Sequence, residues 1–174
     1  KTLIEIAYKC LKKIKGIDKI ILSTDSKKYV NISSKFGLEA PFLRPKKLSQ
    51  KYSGDLEVLK HALKFCENKY QTKYDIILCV QPTCPLRKAK DIELGIKSLK
   101  KGISTVISVN KSNFPPQFYF SKNKNNVLKP VYKNTPLIKS ETRIQNMPDS
   151  FRPNGAFYIS NIKKLLKNKN FFKG

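Results

Sequence analysis

An α/β fold, with a mostly parallel sheet covered by helices on both faces, follows from three observations on the 174-residue chain. Stretches with helical apolar spacing alternate with short apolar runs. The clearest run, Tyr74 to Val80, is of the kind buried on both faces of a parallel sheet. Two runs end in polar clusters, Ser23-Thr24-Asp25-Ser26 and Gln81-Pro82-Thr83, as strands do where open sheets bind ligands.

Leu3, Ile4, Ala7, Leu11 and Ile14 share one helical face, and Gly16 is a suitable C-cap. Lys19 to Leu22 reads as a strand. A second helix is expected from Lys27 to Phe36, stopped by Gly37, and Pro41 to Pro45 as a short extended segment. A third helix covers Asp55 to Asn68, with Leu56, Leu59, Ala62, Leu63 and Cys66 inward. After the Tyr74–Val80 strand come a helix from Asp91 to Lys100 and a strand from Ser104 to Val109. Prolines then cluster and periodicity weakens, leaving β-like pieces at Phe118–Phe120 and Val127–Tyr132. The expectation is a single domain with residues 111–152 inserted as an arm. The chain returns to the sheet at Ala156–Ser160 and closes with a helix over Ile162–Lys167.

Composition excludes several function classes. No apolar run approaches the roughly 20 residues of a membrane span, and Lys1 to Lys15 lacks the pattern of a signal peptide. A soluble cytoplasmic protein is expected. Cys10, Cys66, Cys79 and Cys84 form no C-x-x-C pair and no metal-ligand spacing with His61, the only histidine. They read as free thiols of a reducing compartment. The net charge is +24, yet lysines are spread over every predicted element and form no stripe. Nucleic-acid readers favour arginine, and the chain has four: Arg44, Arg87, Arg143 and Arg152. Each sits in an ordered-looking loop beside proline or glutamine, where bidentate recognition of an anion or a base belongs. Charge alone therefore does not make a nucleic-acid-binding protein.

No glycine-rich phosphate cradle and no Ser/His/Asp arrangement is present, and His61 inside a lysine-rich helix suits a packing or surface role. A longer series of motifs is more informative. S-T-D-S at 23–26 is followed by K-F-G-L-E-A-P-F-L-R-P at 35–45, H-A-L at 61–63 and Q-P-T-C-P-L-R at 81–87 with Asp91-Ile92. S-V at 108–109, R-I-Q-N-M-P at 143–148 and R-P-N-G-A-F-Y at 152–158 complete it. In this order and spacing the series resembles the CMP-acylneuraminate synthetases, the acylneuraminate cytidylyltransferase family, over essentially the whole chain.

The resemblance implies a Rossmann-like nucleotidyltransferase fold that joins CTP to a nine-carbon 2-keto sugar acid and releases pyrophosphate. The anomeric oxygen of the sugar attacks the α-phosphorus in line, and catalysis rests on positioning and charge neutralisation with Mg²⁺ on the phosphates. Arg44 matches the arginine that reads cytosine, a guanidinium suiting the O2 and N3 acceptors. Asp25 and Asp55 join it on the nucleotide side. Gln81 matches a strand-end glutamine near both sugar and nucleotide, where an amide donates and accepts together. Tyr158, Phe171 and Phe172 match aromatics lining the sugar pocket, or else they are ordinary core. Asp25 equally suits an Asx-turn after a strand.

Arg87 is expected to orient its own loop. Arg143, Gln145 and Asn154 fall in the arm that, by resemblance, crosses a homodimer and completes the neighbouring site. Pseudaminate, legionaminate and 3-deoxy-octulosonate are alternative sugars, and a non-catalytic basic binding or dimerisation module is the competing class.

Two departures stand out: Cys84 replaces the serine of P-T-S-P-L-R, and Lys51 stands where an aspartate often follows L-S. The triphosphate loop rich in Arg, Gly, Ser and Lys and the metal-binding aspartates expected by resemblance have no match between Lys1 and Gly174. The expectation is a chain truncated at both ends and, alone, a poor catalyst.

Overall fold

Thr2 caps the first helix by accepting from the Glu5 N–H, and α1 runs Leu3–Leu11 with Ala7 and Leu11 buried. It ends short of the predicted Ile14. Ile14 is nonetheless buried in the following turn, which closes at Gly16 with φ +82. A computed structural model describes residues 1–99, 103–140 and 143–172. The predicted helix end at Lys100, Thr142 before Arg143, and the terminal Lys173 and Gly174 lie outside them.

Two compact units divide the chain: Lys1–Ser108 with Gly155–Gly174, and Val109–Asn154. The first holds α1, α2 (Lys27–Ser34), α3 (Asp55–Tyr70), β1 (Ile76–Cys79), α4 (Ala89–Leu99) and α5 (Ile162–Asn168). Strands β2 (Thr105–Lys111) and β5 (Phe151–Asn161) begin or end in the second unit and complete the sheet, in the order β1-β5-β2. Leu11, Ile14, Ile92, Phe157 and Ile159 form its core, flanked by Ile76, Leu78, Val80 and Val106.

The α/β class stands, and strand direction is corrected. β5 lies antiparallel to β1, with Ile76 opposite Asn161 and Cys79 opposite Tyr158. It also runs against β2: the Asn161 N–H donates to the Ser104 carbonyl, while Ser108 Oγ bonds the Phe157 backbone. Isolated parallel bridges, Ile21 with Glu39 and Thr24 with Leu43, stand where a strand at 19–22 and an extended segment at 41–45 were expected. The reason is connectivity. A parallel neighbour needs a crossover, usually an α-helix, whereas the described residues of the arm lead β2 into β5 with only 3-10 turns and a short hairpin. Apolar runs report burial on both faces and carry no sign of direction.

In the second unit β3 (Phe120–Lys122) and β4 (Leu128–Pro130) form an antiparallel hairpin. Asn123 Oδ1 ties its turn by accepting from the N–H groups of Asn125 and Val127. Phe118, expected to open a strand, ends a 3-10 turn from Pro116. Buried Thr135 caps another turn over Pro136–Lys139. Lys111 and Asp149 pair at 2.7 Å.

Candidate active site

The Thr24–Leu43 bridge positions the first group of site residues. Arg44 donates its backbone N–H to the Thr24 carbonyl at 2.8 Å, which sets residue 44 beside the strand end at Asp25. Its Nε donates to Ser49 Oγ at 3.0 Å, and its guanidinium stands 3.7 Å from the Asp25 carboxylate. Asp25 is half exposed and the pair is long, so the contact orients Arg44 without neutralising it tightly. The remaining guanidinium edge is suited to a planar acceptor such as a pyrimidine base. The predicted Asx-turn is made by Thr24, whose Oγ1 accepts from the Ser26 N–H.

Leading into this group, Phe42 packs on His61 in a T-shaped contact at 4.7 Å and on Phe65 at 4.9 Å. His61 is thus a packing residue of α3, as its helical setting suggested. Among the described residues, Ser23 Oγ and His61 Nδ1 are buried side-chain atoms without a hydrogen-bond partner.

The second group gathers where β1 ends. Cys79 opposes Tyr158 in the sheet, and Gln81 follows two residues on. Arg87 grips the turn: Nε donates to the Ala156 carbonyl at 2.7 Å and a terminal nitrogen donates to the Gln81 carbonyl. Cys84 N–H also reaches the Gln81 carbonyl, at 3.3 Å. Burial lowers the Arg87 pKa, and the guanidinium faces carbonyls where an exposed arginine would face water. Opposite Gln81 stands Gly155, φ +74, so close that a Cβ there would lie 2.6 Å from Gln81 Oε1.

Tyr158 continues this surface. Its ring meets Phe171 at 5.4 Å and Phe172 edge-on at 6.2 Å, while Phe172 itself is largely exposed. Burial first, then the negative charge of Asp55, raises the Tyr158 hydroxyl pKa. The same two causes, in the same order, push Cys79 up to about 11. Asp55 therefore lies near enough, at the first turn of α3, to act on Tyr158 and Cys79.

Contacts thus join Asp25 with Arg44, Gln81 with Arg87 and Gly155, and Tyr158 with Phe171 and Phe172. Arg143, Gln145 and Asn154 belong to the other unit, where Asn154 Nδ2 donates to Asn110 Oδ1 at 2.8 Å. Sequence reasoning missed Ser49 and Gly155. The only signal for Gly155 was a glycine directly after asparagine at the head of an apolar run.

No helix among the described residues is long and apolar enough to cross a membrane. The same residues include no group of three or more His, Cys, Asp or Glu side chains able to hold a metal.

Comparison with known proteins bears on this geometry. Residues 1–172 match the family described as cytidylyltransferase. The chain is 28% identical over 162 residues to pseudaminic acid cytidylyltransferase of Campylobacter jejuni, covering 90% of this chain and 66% of that protein. It is 30% identical over 162 residues to N-acylneuraminate cytidylyltransferase of Escherichia coli, covering 89% of this chain and 35% of that protein. It thus spans about two thirds of the first relative and about a third of the second. A solved structure of CMP:2-keto-3-deoxy-manno-octonic acid synthetase complexed with CTP matches its fold. The TM-score is 0.65 at 13% identity, over 99% of this chain and 68% of that one.

Proposed function

The chain belongs to the cytidylyltransferase family, and on that footing we propose that it transfers CMP from CTP to a sialic-acid-like 2-keto sugar acid, releasing pyrophosphate. The observation that carries this reading is a pair of polar groups, one at the Thr24–Leu43 bridge and one where β1 ends. One is a part-exposed guanidinium held by Ser49 and Asp25; the other is an amide, Gln81, resting against Gly155 on β5, the strand that also carries Tyr158. A base-reading cation, an amide and an aromatic cluster on the neighbouring strand are what a cytosine and a polar sugar with an apolar face require.

In the reaction, the anomeric hydroxyl oxygen of the sugar forms a bond to the α-phosphorus. The bond from that phosphorus to the bridging oxygen of the β-phosphate breaks, and pyrophosphate departs. Arg44 holds the base and Gln81 orients the sugar, with Asp25 and Asp55 shaping the pocket as acceptors. Tyr158, Phe171 and Phe172 exclude water from one side. Such positioning is the chief protein contribution to phosphoryl transfer. Mg²⁺, if bound with the nucleotide, would supply charge neutralisation on the phosphates.

The arm extends the proposal to a homodimer. Phe114, Leu128, Ile138 and Phe151 are each more than half exposed within this small unit, more apolar surface than a monomer ordinarily leaves in water. A second copy is the occupant that fits, with Arg143, Gln145 and Asn154 meeting the sugar carboxylate or phosphates of the neighbouring site. The proposed setting is the cytoplasm, where CTP is available.

A second reading, another acidic sugar such as pseudaminate or legionaminate, is favoured by the likeness to a pseudaminic acid cytidylyltransferase. The test is product mass after incubation with CTP, Mg²⁺ and a panel of keto-sugar acids. A CMP adduct of a nine-carbon acid supports the proposal. An adduct formed only with an eight-carbon acid corrects the sugar, and no adduct with any acid overturns the proposal.

A further inference from the structure

We propose that Gly155 and Arg87 are positioning residues that aim the Gln81 amide at the sugar, an inference that rests on the function proposed above. A glutamine at an exposed strand end has several rotamers of similar energy and by itself defines no direction. Here one contact fixes the backbone of residue 81 and another gives its amide a place to rest.

Arg87 uses its planar fork on two carbonyls, of Gln81 and of Ala156, and so locks residue 81 to the β5 segment beside it. A lysine has one nitrogen and cannot span both in fixed geometry. Gly155 then supplies the surface on which the amide rests. With no Cβ, it lets Gln81 Oε1 occupy a place that a Cβ would approach to 2.6 Å.

The consequence of adding a methyl group is specific. The colliding atom is the free end of a long side chain, so the amide moves aside and the fold absorbs little of the collision. The left-handed backbone at Gly155 adds a separate strain, felt by any side chain there. Gly37 provides the control, because its φ is +77 and nothing lies within 4 Å of a Cβ added there. Gly37→Ala carries the backbone strain alone.

The experiment measures KM for CTP and for the accepted sugar acid, with melting temperature, in wild type, Gly155→Ala, Arg87→Lys, Gln81→Ala and Gly155→Ala/Gln81→Ala. Gly155→Ala is expected to raise the sugar KM about tenfold or more while the CTP KM stays within about twofold. Its melting temperature should fall no further than that of Gly37→Ala. On the Gln81→Ala background, Gly155→Ala should add no further loss, because it acts through the amide already removed. Arg87→Lys should produce the same split.

An unchanged sugar KM in Gly155→Ala, or an equal further loss without Gln81, overturns the inference. If Gly155→Ala does not fold, Gly155→Asn, which tolerates positive φ but still carries a Cβ, replaces it. Wild-type protein that forms no CMP-sugar sinks the function instead. The positioning is then read from the Gln81 side-chain NH₂ resonances. These should be dispersed in wild type and collapse toward free-glutamine positions in Gly155→Ala, and unmoved resonances overturn it.

Discussion

The Arg44 guanidinium stands 3.7 Å from the Asp25 carboxylate because a parallel bridge between Thr24 and Leu43 brings two strand ends together. The gap is longer than a tight ion pair, and Ser49 Oγ, at 3.0 Å from Nε, does more of the orienting.

Arg44→Lys keeps the charge but loses the fork. CTP affinity should fall at least about tenfold, since a fork holding a base is worth more than a point charge. Melting temperature should hardly change, because a long, part-exposed ion pair stabilises little. Calorimetric titration of CTP beside a thermal melt checks both. Unchanged CTP affinity with a lowered melting temperature would make Arg44 a loop anchor.

Glu39 accepts from Lys19 at 2.6 Å, Lys69 at 2.7 Å and Tyr70 at 2.5 Å. The Lys19, Lys69 and Tyr70 hydrogen bonds, in that order, lower its pKa from 4.5 to about 2. A depressed carboxylate stabilises the fold above its unfolded pKa, and that stability fades as pH falls through the folded value. Wild type should therefore exceed Glu39→Gln at pH 7, by on the order of 1 kcal/mol once solvent screening is discounted. The difference should narrow below the ordinary value of 4.5 and vanish below about 2. Denaturant melts of both proteins across this range test the sign, and a gap that widens in acid would contradict it.

Alanine for glycine inside a helix normally stabilises by up to about 1 kcal/mol. Gly95 in α4 should do the reverse. A Cβ there would lie 2.7 Å from Cδ1 of Ile159, which is fully buried, with Val106 and Phe157 close behind. Overpacking of this kind costs about 1–3 kcal/mol, and Gly95→Ala should melt several degrees below wild type. A raised melting temperature would mean that α4 packs less closely on β5.

The helices were legible in the sequence because one apolar face repeats at the helical period, and Gly16 and Gly37 mark real stops at positive φ. What escaped was long-range. Nothing in the spacing of Asp25 and Arg44 announces their meeting, which depends on a strand register. The reversed direction of β5 follows from an arm whose described residues hold only 3-10 turns and a short hairpin. Gly155 beside Gln81 is a contact between distant segments, and one glycine among seven carries no label for it. Tyr158 is ambiguous from sequence because its role depends on Phe171 and Phe172 packing against it, and a packed aromatic reads like core.

Burial raises the pKa of Cys66 and pushes that of Cys79 up to about 11, with Asp55 adding to the second. Both thiols should resist a disulfide reagent at pH 8 in the folded protein, since the thiolate is the reacting species. All four free cysteines should react once the chain is denatured. Rapid labelling of Cys79 in native protein, located by peptide mass, would contradict its placement in the sheet.

The most direct measurement of the central claim is pyrophosphate release in an omission series. Reactions contain CTP and Mg²⁺ with the keto-sugar acid, each without the other, and UTP in place of CTP. Cytidylyl transfer predicts release only when CTP and the acid are present together, with CMP-sugar formed in equal amount. Release that ignores the acid, or proceeds equally with UTP, would contradict the account.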